Sequence, residues 1–500
     1  MAETEASMED RLTALGTVDL AASLRPRGAV VHMGDGVAQV VGLDHVGFEE
    51  LVEFDSGALG MAYDLAPDRT GVVLLTDPQR VCAGEGVVPT GRPPSIRCGP
   101  QMRGRVVDPL GRPLDDRPPA AGTSLPLFRE APSLTERAPV SAPLLTGVMA
   151  VDAAVPIGRG QRQLIVGDRN VGKTALALDF VAAQRSGDVV CVYVVVGQPL
   201  SRVLGIRDAL RDSGALSNTV LIAAEAADTP GMQYLAPYAG TTVAEHYAEQ
   251  GRHTLVVYDD LTKHADAYRE LALLLGRPPG REAFPGDIFY IHAELLERAT
   301  AFSAAAGGGS LTAFPIIETT DSDISAYIPT NLISITDGQI YLDTGRFERN
   351  QRPAIDVGRS VSRIGGAAQA PAMRAVAHNV RIDMARFESL ESLTRVGLDV
   401  DPQTRRTIDR GHILRELLRQ PRLTVRTVAS QLLALTAVAE GWLDGLTPAA
   451  ARTLLWNAAE AARVEVPALV AQLDEAQPLP AEWAQPLHAI LDRLRGEPAP

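Results

Sequence analysis

The stretch from Gly167 to Thr174 combines residue types and a spacing that could hold a nucleoside triphosphate. It has the pattern G-x-x-x-x-G-K-[ST], follows the apolar run QLIV and opens the helical pattern TALALDFVAAQ. Glycines in such a loop let backbone N–H groups wrap a phosphate, and the N-terminus of the following helix favours negative charge. We therefore expect every residue of the motif to take part in nucleotide binding: Gly167, Asp168, Arg169, Asn170, Val171, Gly172, Lys173 and Thr174.

The lysine of this motif stands out in the composition. The sequence contains only two lysines, Lys173 and Lys263, and arginine supplies its other basic side chains. A compact ammonium fits between phosphate groups, where a broad guanidinium would not substitute well. We expect Lys173 to reach the β- and γ-phosphates of a nucleotide and the hydroxyl of Thr174 to bind Mg²⁺.

Two aspartates end a second apolar run, TLVVYDD. Asp259 is predicted to be the Walker B carboxylate, which holds Mg²⁺ mostly through water. For Asp260 a structural interpretation is open, because an aspartate that follows a strand is often the N-cap of the next helix. The predicted Mg²⁺ ligands are therefore Thr174 and Asp259.

The residue that would polarise the attacking water is a glutamine. Catalytic rotary-type ATPases have a glutamate at the end of the strand that follows the P-loop helix, and here that strand ends VVVGQ, at Gln198. A neutral amide can hold a water by hydrogen bonds but cannot accept its proton. The sequence therefore predicts a site that binds nucleotide and turns it over very slowly or not at all.

Three kinds of structure must position these residues. Short strands separated by turn signals, such as AVVHM, GVAQVVGL, ELVEF and GVVLL, predict a β-barrel over residues 26–94. Apolar runs that alternate with helical stretches predict a P-loop domain with a mostly parallel sheet over 95–370. Helical patterns follow over 371–500. Residues 1–25 form a separate N-terminal segment with amphipathic helical spacing, marked by Met8, Leu12, Leu15 and Leu20.

Composition narrows the function. A length of 500 residues indicates two to four domains, and a net charge of -14 argues against binding nucleic acid. Cys82, Cys98 and Cys191 show no metal-binding spacing or disulfide framework. The acidic start MAETEASMEDRL is not a signal peptide, and the longest apolar run, VVCVYVVVG, is half the length of a membrane helix. We expect any membrane role to come through partners.

Longer stretches carry a resemblance to one family. They are VDAAVPIGRGQRQLIVGDRNVGKTALALD, VVYDDLTKHADAYRELALLLGRPPGREAFPGDIFYIHAELLERA, IETTDSDISAYIPTNLISITDGQIYLDTGRF and RPAIDVGRSVSRIGGAAQ. Together they resemble the α subunit of F-type ATP synthases, in unbroken order from about residue 25 to the C-terminus. The β subunit, the flagellar export ATPase and the terminator Rho share the P-loop fold, but they do not combine SVSRIGGAAQ with a glutamine at the water-polarising position.

The resemblance implies a fold and an assembly. The expected fold has an N-terminal β-barrel, a central RecA-like α/β P-loop domain and a C-terminal α-helical bundle. Three α and three β chains would form a ring around the rotating γ shaft, joined to a peripheral stalk and to a membrane sector that translocates H⁺ or Na⁺. Such an α chain binds ATP or ADP with Mg²⁺ at a regulatory, non-catalytic site. It lies on the cytoplasmic face of the bacterial inner membrane, and residues 1–25 would contact the stalk.

The resemblance also implies roles for individual residues. Arg363, in SVSRIGG, matches the arginine finger that α donates to the catalytic site of the neighbouring β subunit, and Ser360 matches a position needed for activity. The segment from Arg277 to Asp287 matches the loop that forms the bearing around the shaft. The adenine pocket of the non-catalytic site would be lined by three residues: Arg352, Pro353 and Gln420.

The sequence departs from the family at several places. Arg422 stands where the family has a second glutamine, and Pro421 replaces a small flexible residue. RNV replaces the usual Gln-Thr of the P-loop, and PLSRV replaces a more basic stretch after Gln198. These differences indicate a divergent branch, such as the alternative synthases that some bacteria carry beside a standard one.

Three other functions fit the sequence less well than the α subunit does. A homohexameric export-type ATPase would need a glutamate at position 198. A Rho-like translocase would need a basic, aromatic-rich barrel, whereas residues 28–94 carry more acid than base. A degenerate, purely structural chain would not need to keep Lys173, Thr174, Asp259 and Arg363.

Overall fold

The computed structural model describes residues 27–185, 187–395 and 401–496. The N-terminal segment predicted over residues 1–25 lies outside the described residues. Within them, a closed barrel, a sheet with helices on both faces and a set of helices follow one another along the chain. This is the predicted architecture.

The barrel closes in the strand order β1-β2-β5-β4-β3-β6. Alternate residues of its strands face two different cores: Val72 and Leu74 point into the barrel, whereas Val73 and Leu75 pack in the core of the next domain. The barrel is therefore anchored through its outer face. Its strands are β1 (Gly28–Gly34), β2 (Val37–Val41), β3 (Leu51–Phe54), β4 (Leu59–Leu65), β5 (Thr70–Leu74) and β6 (Gly86–Pro89).

A pair of carboxylates marks the contact between the barrel and the next domain. Glu49 lies in the turn before β3, and Glu294 lies on a helix of the P-loop domain. Burial, together with the like charge of Glu294, raises the pKa of Glu49 to about 7. Glu49 therefore keeps its proton in the folded chain under conditions in which the unfolded chain has lost it.

This raised pKa predicts a pH-dependent stability difference. Between about 4.5 and about 7 the folded state binds the proton and the unfolded state does not, so the contribution of Glu49 to stability falls as the pH rises through this window. Glu49→Gln should therefore be more stable than the wild type at pH 8 and close to it at pH 4.5. Thermal unfolding midpoints at the two pH values measure this. The exposed Glu53→Gln is the control, and a constant gap at both pH values would contradict the prediction.

The central sheet is parallel apart from one edge. Its order is β20-β19-β13-β18-β16-β14-β15-β8, and only β20 in this row runs antiparallel to its neighbour. The strands are apolar runs because helices cover both faces. The members of this row are β8 (Val106–Val107), β13 (Leu164–Asp168), β14 (Val189–Gln198), β15 (Thr219–Glu225), β16 (His253–Asp259), β18 (Ser310–Thr319), β19 (Gly338–Leu342) and β20 (Val361–Ser362).

Short strands and helices complete this domain. The remaining strands are β7 (Ser95–Cys98), β9 (Thr123–Pro126), β10 (Arg137–Ala138), β11 (Pro143–Leu144), β12 (Ile157–Gly158) and β17 (Ala301–Phe302). The helices are α1 (Met149–Ala154), α2 (Lys173–Ala183), α3 (Leu200–Asp212), α4 (Pro230–Ala248), α5 (Leu261–Leu274), α6 (Ile288–Glu297), α7 (Tyr327–Ile335) and α8 (Thr344–Glu348). Because β13, β14 and β16 are parallel, their carboxyl ends meet at one edge of the sheet, which we call the carboxyl edge.

An ion pair lies inside the central domain, away from this edge. Arg298 is 0% exposed, and its Nε and Nη2 donate to the two carboxylate oxygens of Glu245 at 2.6 and 2.7 Å. Arg298 also donates to the carbonyl oxygen of Leu127 at 2.8 Å and to the hydroxyl of Thr242 at 2.9 Å. The pair thus ties together helix α4, the end of α6 and the segment after β9.

The last domain is helical, as predicted. Side-chain N-caps begin several of its helices, as at Asp401, Thr427 and Thr447. Its first two helices are separated by a break at His378 and Asn379. The helices are α9 (Pro371–Ala377), α10 (Val380–Arg395), α11 (Pro402–Leu417), α12 (Val428–Ala439), α13 (Pro448–Glu465), α14 (Pro467–Asp474) and α15 (Ala484–Gly496). Among the described residues, no helix combines the length and the apolar character that crossing a membrane requires.

Candidate nucleotide-binding site

The P-loop connects β13 to α2 at the carboxyl edge of the sheet. Two of its glycines are needed for different reasons. Gly172 has φ +102°, a conformation that L side chains rarely adopt, although the space around it is open. A Cβ on Gly167 would lie 2.6 Å from the carbonyl oxygen of Leu342, so this position requires a close approach of two backbones. Asn170, with φ +63°, completes the turn.

Lys173 curls back over this loop. Its Nζ donates to the carbonyl oxygens of Gly167 and Asp168 at 2.9 and 2.6 Å, and it lies 3.8 Å from Glu318 Oε1. The side chain is 6% exposed, and burial lowers its pKa. The ammonium is therefore held at the concave side of the loop, where phosphate oxygens would replace part of its lost hydration.

Thr174 and Asp259 meet beside the loop. The Thr174 hydroxyl donates to Asp259 Oδ2 at 2.8 Å, and the Tyr193 hydroxyl donates to the same oxygen at 2.8 Å. Burial raises the pKa of the Asp259 carboxyl. A hydroxyl and a carboxylate are oxygen ligands of the kind Mg²⁺ accepts, and the ion takes few protein ligands beside phosphates and water. The residues therefore fit Mg²⁺. Among the residues described, no group of three or more His, Cys, Asp or Glu is arranged so that it could hold a metal ion by itself.

Gln198 and Asp260 lie next to this pair. The Gln198 side-chain amide is 3.4 Å from Asp260 Oδ2, and the other Asp260 oxygen accepts from the backbone N–H of Lys263 at 2.8 Å. Asp260 is thus the N-cap of α5, which confirms the structural interpretation of this residue. Burial and the neighbouring Asp259 raise the pKa of Asp260 to about 7.

Lys173, Thr174, Gln198 and Asp259 line one cavity of about 420 Å³. Four cationic side chains and two carboxylates face it, so the wall carries net positive charge, which suits a polyphosphate. The cations are Arg169, Lys173, Arg202 and Arg422, and the carboxylates are Asp259 and Glu318. Asn170, Gly172, Thr174 and Gln198 are also among the lining residues.

Two residues of the motif face elsewhere. The Asp168 carboxylate accepts hydrogen bonds from the hydroxyls of Thr319, Ser322 and Thr344 at 2.6 to 2.9 Å. It therefore ties the start of the loop to the neighbouring strand and to the segments that follow. Val171 is 2% exposed and packs in the core. Both residues shape the loop through packing and hydrogen bonds, and their side chains do not line the cavity.

The residues expected at the adenine pocket lie beside this cavity. Gln420 is 7% exposed, and its amide donates to the carbonyl oxygens of Gly147 and Thr424 at 2.7 and 2.5 Å. Its backbone N–H donates to the carbonyl oxygen of Arg352, the residue before Pro353. None of Arg352, Pro353 and Gln420 is among the residues that line the cavity. Gln420 holds the loop that carries Arg422, and Arg422 itself faces the cavity.

Arg363 lies at the opposite edge of the sheet from the P-loop, whereas Ser360, three residues earlier, lies beside Tyr341 within β19. Ser360 is fully buried, and its hydroxyl donates to the carbonyl oxygen of Asp356 at 2.6 Å and accepts from the N–H of Tyr341 at 3.0 Å. Arg363 follows β20, which is antiparallel to β19, so it lies at the amino ends of the parallel strands. Its side chain is exposed and donates to the carbonyl oxygen of Ile333 at 3.2 Å. It therefore does not face this chain's own cavity.

Three residues of the site were not singled out in the sequence: Tyr193, Arg202 and Glu318. Arg422 was noted there as a departure from the family and not as a residue of the cavity. Arg202 carried a usable signal, since it follows Gln198 by four residues and so falls in the first turn of the next helix at the carboxyl edge. Glu318 near the end of β18 could have been found by the same reasoning. Tyr193 lies within an apolar strand and had no such signal.

Comparison with known proteins covers nearly the whole chain. Residues 25–91, 147–362 and 369–494 match the β-barrel, nucleotide-binding and C-terminal domains of the ATP synthase alpha/beta family. A relative from Syntrophotalea carbinolica called ATP synthase subunit alpha 2 is 48% identical, covering 93% of this chain and 90% of the relative. Relatives of the same name from Albidiferax ferrireducens and Syntrophus aciditrophicus are 50% and 47% identical, over 92% and 90% of this chain and 86% and 87% of their own length. On this evidence the chain belongs to the F-type ATP synthase alpha/beta family, as an alpha subunit of the divergent second type.

Proposed function

We propose that this chain is the regulatory, non-catalytic nucleotide-binding subunit of an F-type ATP synthase head. It binds ATP or ADP with Mg²⁺ in the cavity at the carboxyl edge and donates Arg363 to the catalytic site of the neighbouring β subunit. The proposal depends mainly on one observation. The P-loop residues that would bind phosphate line a cavity, and Gln198 stands beside them at the position of the water-polarising residue.

The proposed binding of phosphate depends on complementary charge. Lys173 is buried at the loop, and within the described part of the chain its ammonium contacts two backbone oxygens and a more distant carboxylate. Phosphate oxygens would add charge-assisted hydrogen bonds, which are stronger than neutral ones. Thr174 and Asp259 are the residues that would hold Mg²⁺, and the bound ion would neutralise part of the phosphate charge.

The lack of turnover rests on proton chemistry. Hydrolysis requires a group that takes or orients the proton of the attacking water, and the amide of Gln198 has no basic atom for it. Asp260 lies next to Gln198, but one of its oxygens is occupied as the N-cap of α5. We therefore expect this site to hold a nucleotide rather than to hydrolyse it.

The donation of Arg363 rests on its position. The side chain is exposed at the amino edge of the sheet, and the length of β13 separates this edge from the P-loop. A guanidinium placed there can stabilise the charge on a transferring phosphoryl group only in a site formed by another chain. Ser360 positions the segment from within, through its two backbone hydrogen bonds.

The assembly follows from the same role. We propose that three copies alternate with three β subunits around a γ shaft, with a peripheral stalk and a membrane sector that moves H⁺ or Na⁺, on the cytoplasmic face of a bacterial inner membrane. The exposed loop from Arg277 to Asp287 would form part of the bearing. Its base is held by Arg277, which donates to the Tyr268 hydroxyl at 2.9 Å and to Asp287 at 3.3 Å.

The test of nucleotide binding uses the full chain alone. Isothermal titration with MgATP should show binding, and an assay of phosphate release should show no turnover. Lys173→Ala should weaken MgATP binding by about tenfold to a hundredfold, because it removes hydrogen bonds from a charged group worth about 1.5–3 kcal/mol.

The matched control is Arg185→Ala, which removes an exposed cation just beyond the other end of α2. It should leave the affinity unchanged. Rapid hydrolysis by the isolated chain would overturn the non-catalytic assignment, and equal affinity in the Lys173→Ala variant would overturn the assignment of the cavity.

A further inference from the structure

An arginine outside the P-loop reaches the predicted metal ligands. Arg202 lies in the first turn of α3, directly after the end of β14 at Gln198. Its Nη2 donates to the Thr174 hydroxyl oxygen at 3.1 Å, and that hydroxyl in turn donates to Asp259 Oδ2 at 2.8 Å. The guanidinium, the hydroxyl and the carboxylate therefore form one hydrogen-bonded chain.

Through these hydrogen bonds, Arg202 places a permanent positive charge where the proposed nucleotide site would otherwise depend on a metal ion. The Asp259 carboxylate is buried, and a buried carboxylate needs a compensating charge. Arg202 reaches this carboxylate through the Thr174 hydroxyl, and Lys173 lines the same cavity. The site is thus partly neutralised by the chain's own side chains.

Arg202 also has the chemistry and the freedom to bind phosphate. A guanidinium stays charged at any physiological pH and presents planar donors that match phosphate oxygens. The side chain is exposed and lines the same cavity as Lys173 and the P-loop. When a triphosphate occupies the cavity, Arg202 can therefore donate to it together with Lys173.

We propose that Arg202 binds the terminal phosphate of the nucleotide and supplies a positive charge beside Thr174 and Asp259, so that this site holds ATP with little dependence on Mg²⁺. The inference rests on the proposed nucleotide-binding function and specifies how the ligand's charge is neutralised. Arg202 is a binding residue in this proposal and takes no part in a chemical step.

The test compares ATP binding with and without the metal. The full chain is titrated with ATP at constant ionic strength, once in MgCl₂ and once in EDTA, and the ratio of the two dissociation constants is the readout. For the wild type this ratio should stay below about tenfold. Arg202→Ala should raise it by a further factor of about ten or more, because the lost hydrogen bonds come from a charged group and only the metal can replace them.

Two further variants separate charge from packing. Arg202→Lys keeps the positive charge without the planar donors and should give an intermediate ratio. Arg211→Ala removes an exposed arginine from the same helix that already pairs with Asp208 and Asp212, and its ratio should equal that of the wild type. Thermal unfolding midpoints of all variants check that each is folded.

The failures of the two proposals can be told apart. If the wild type binds ATP in MgCl₂ and the Arg202→Ala variant has the same ratio as the wild type, the inference about Arg202 is overturned and nucleotide binding stands. A wild type that loses ATP entirely in EDTA overturns it as well. If the wild type fails to bind ATP even in MgCl₂, the proposed function itself is overturned, and the role of Arg202 with it.

Discussion

Arg363→Ala should lower the turnover of ATP by the assembled complex by a factor of about 10³ or more, because an arginine finger contributes this much to phosphoryl transfer. The exposed guanidinium lies at the amino edge of the sheet, where it donates to the backbone carbonyl of Ile333. If Arg363 is donated to the neighbouring site as we propose, its removal leaves the developing charge on the phosphoryl group there without compensation. The measurement is kcat for phosphate release by the chain mixed with its β partner.

The same substitution should leave the cavity of this chain untouched. The affinity of the isolated Arg363→Ala chain for MgATP should equal that of the wild type, because the P-loop lies at the other edge of the sheet. Arg252→Ala serves as the control, since it removes another exposed arginine from the amino edge. A mixed complex with normal kcat would mean that Arg363 is an interface residue and not a finger.

Arg298→Ala should lower the free energy of unfolding by about 3–5 kcal/mol, because it removes the buried partner of the Glu245 carboxylate and leaves only the partly exposed Arg129 beside it. Arg298 is 0% exposed and donates four hydrogen bonds, two of them to Glu245. Urea unfolding followed by circular dichroism measures the loss.

Arg129 provides a matched control for this prediction. It binds the same carboxylate at 3.0 Å and Glu249 at 2.6 Å, but it is 27% exposed, so water can replace it. Arg129→Ala should therefore cost less than about 1 kcal/mol. A double substitution, Arg298→Met with Glu245→Gln, should recover much of the loss, since it leaves no unpaired charge in the core. Equal losses for Arg298→Ala and Arg129→Ala would contradict the argument.

Some strands of the barrel could be predicted from the sequence and others could not. The four predicted strands agree with β1, β2, β3 and β5, but β4 and β6 were missed. Strand β4 does not alternate between apolar and polar residues, because both of its faces are buried. Ala62 faces the interior of the barrel, whereas Met61 and Tyr63 pack in the core of the P-loop domain. Packing against that second core is a tertiary contact, which the local sequence pattern does not predict.

In the candidate site, too, some residues could be predicted from the sequence and others could be found only in the folded structure. The P-loop and Asp259 could be found because the chemistry of each lies in a few consecutive residues at the end of a strand. The inward path of Arg202 and Arg422 depends on how α3 and the loop after α11 pack over that edge. The role of Gln420 at adenine stays a prediction, and the contacts of its amide nitrogen with two backbone carbonyls are visible only in the packed structure. The named relatives favour the α subunit over the export-type and Rho-like alternatives.

The opposite placement of the cavity and Arg363 has a consequence for symmetry. A two-fold pairing sets a surface patch against the identical patch of a second molecule, so it would bring arginine to arginine or cavity to cavity. Our proposal for Arg363 requires the amino edge of one molecule to face the cavity-bearing side of a different one. Contacts of this kind are heterologous, and they end only when the row of molecules closes into a ring. The strand direction of the sheet in one chain therefore determines in which direction successive subunits follow one another around the proposed ring.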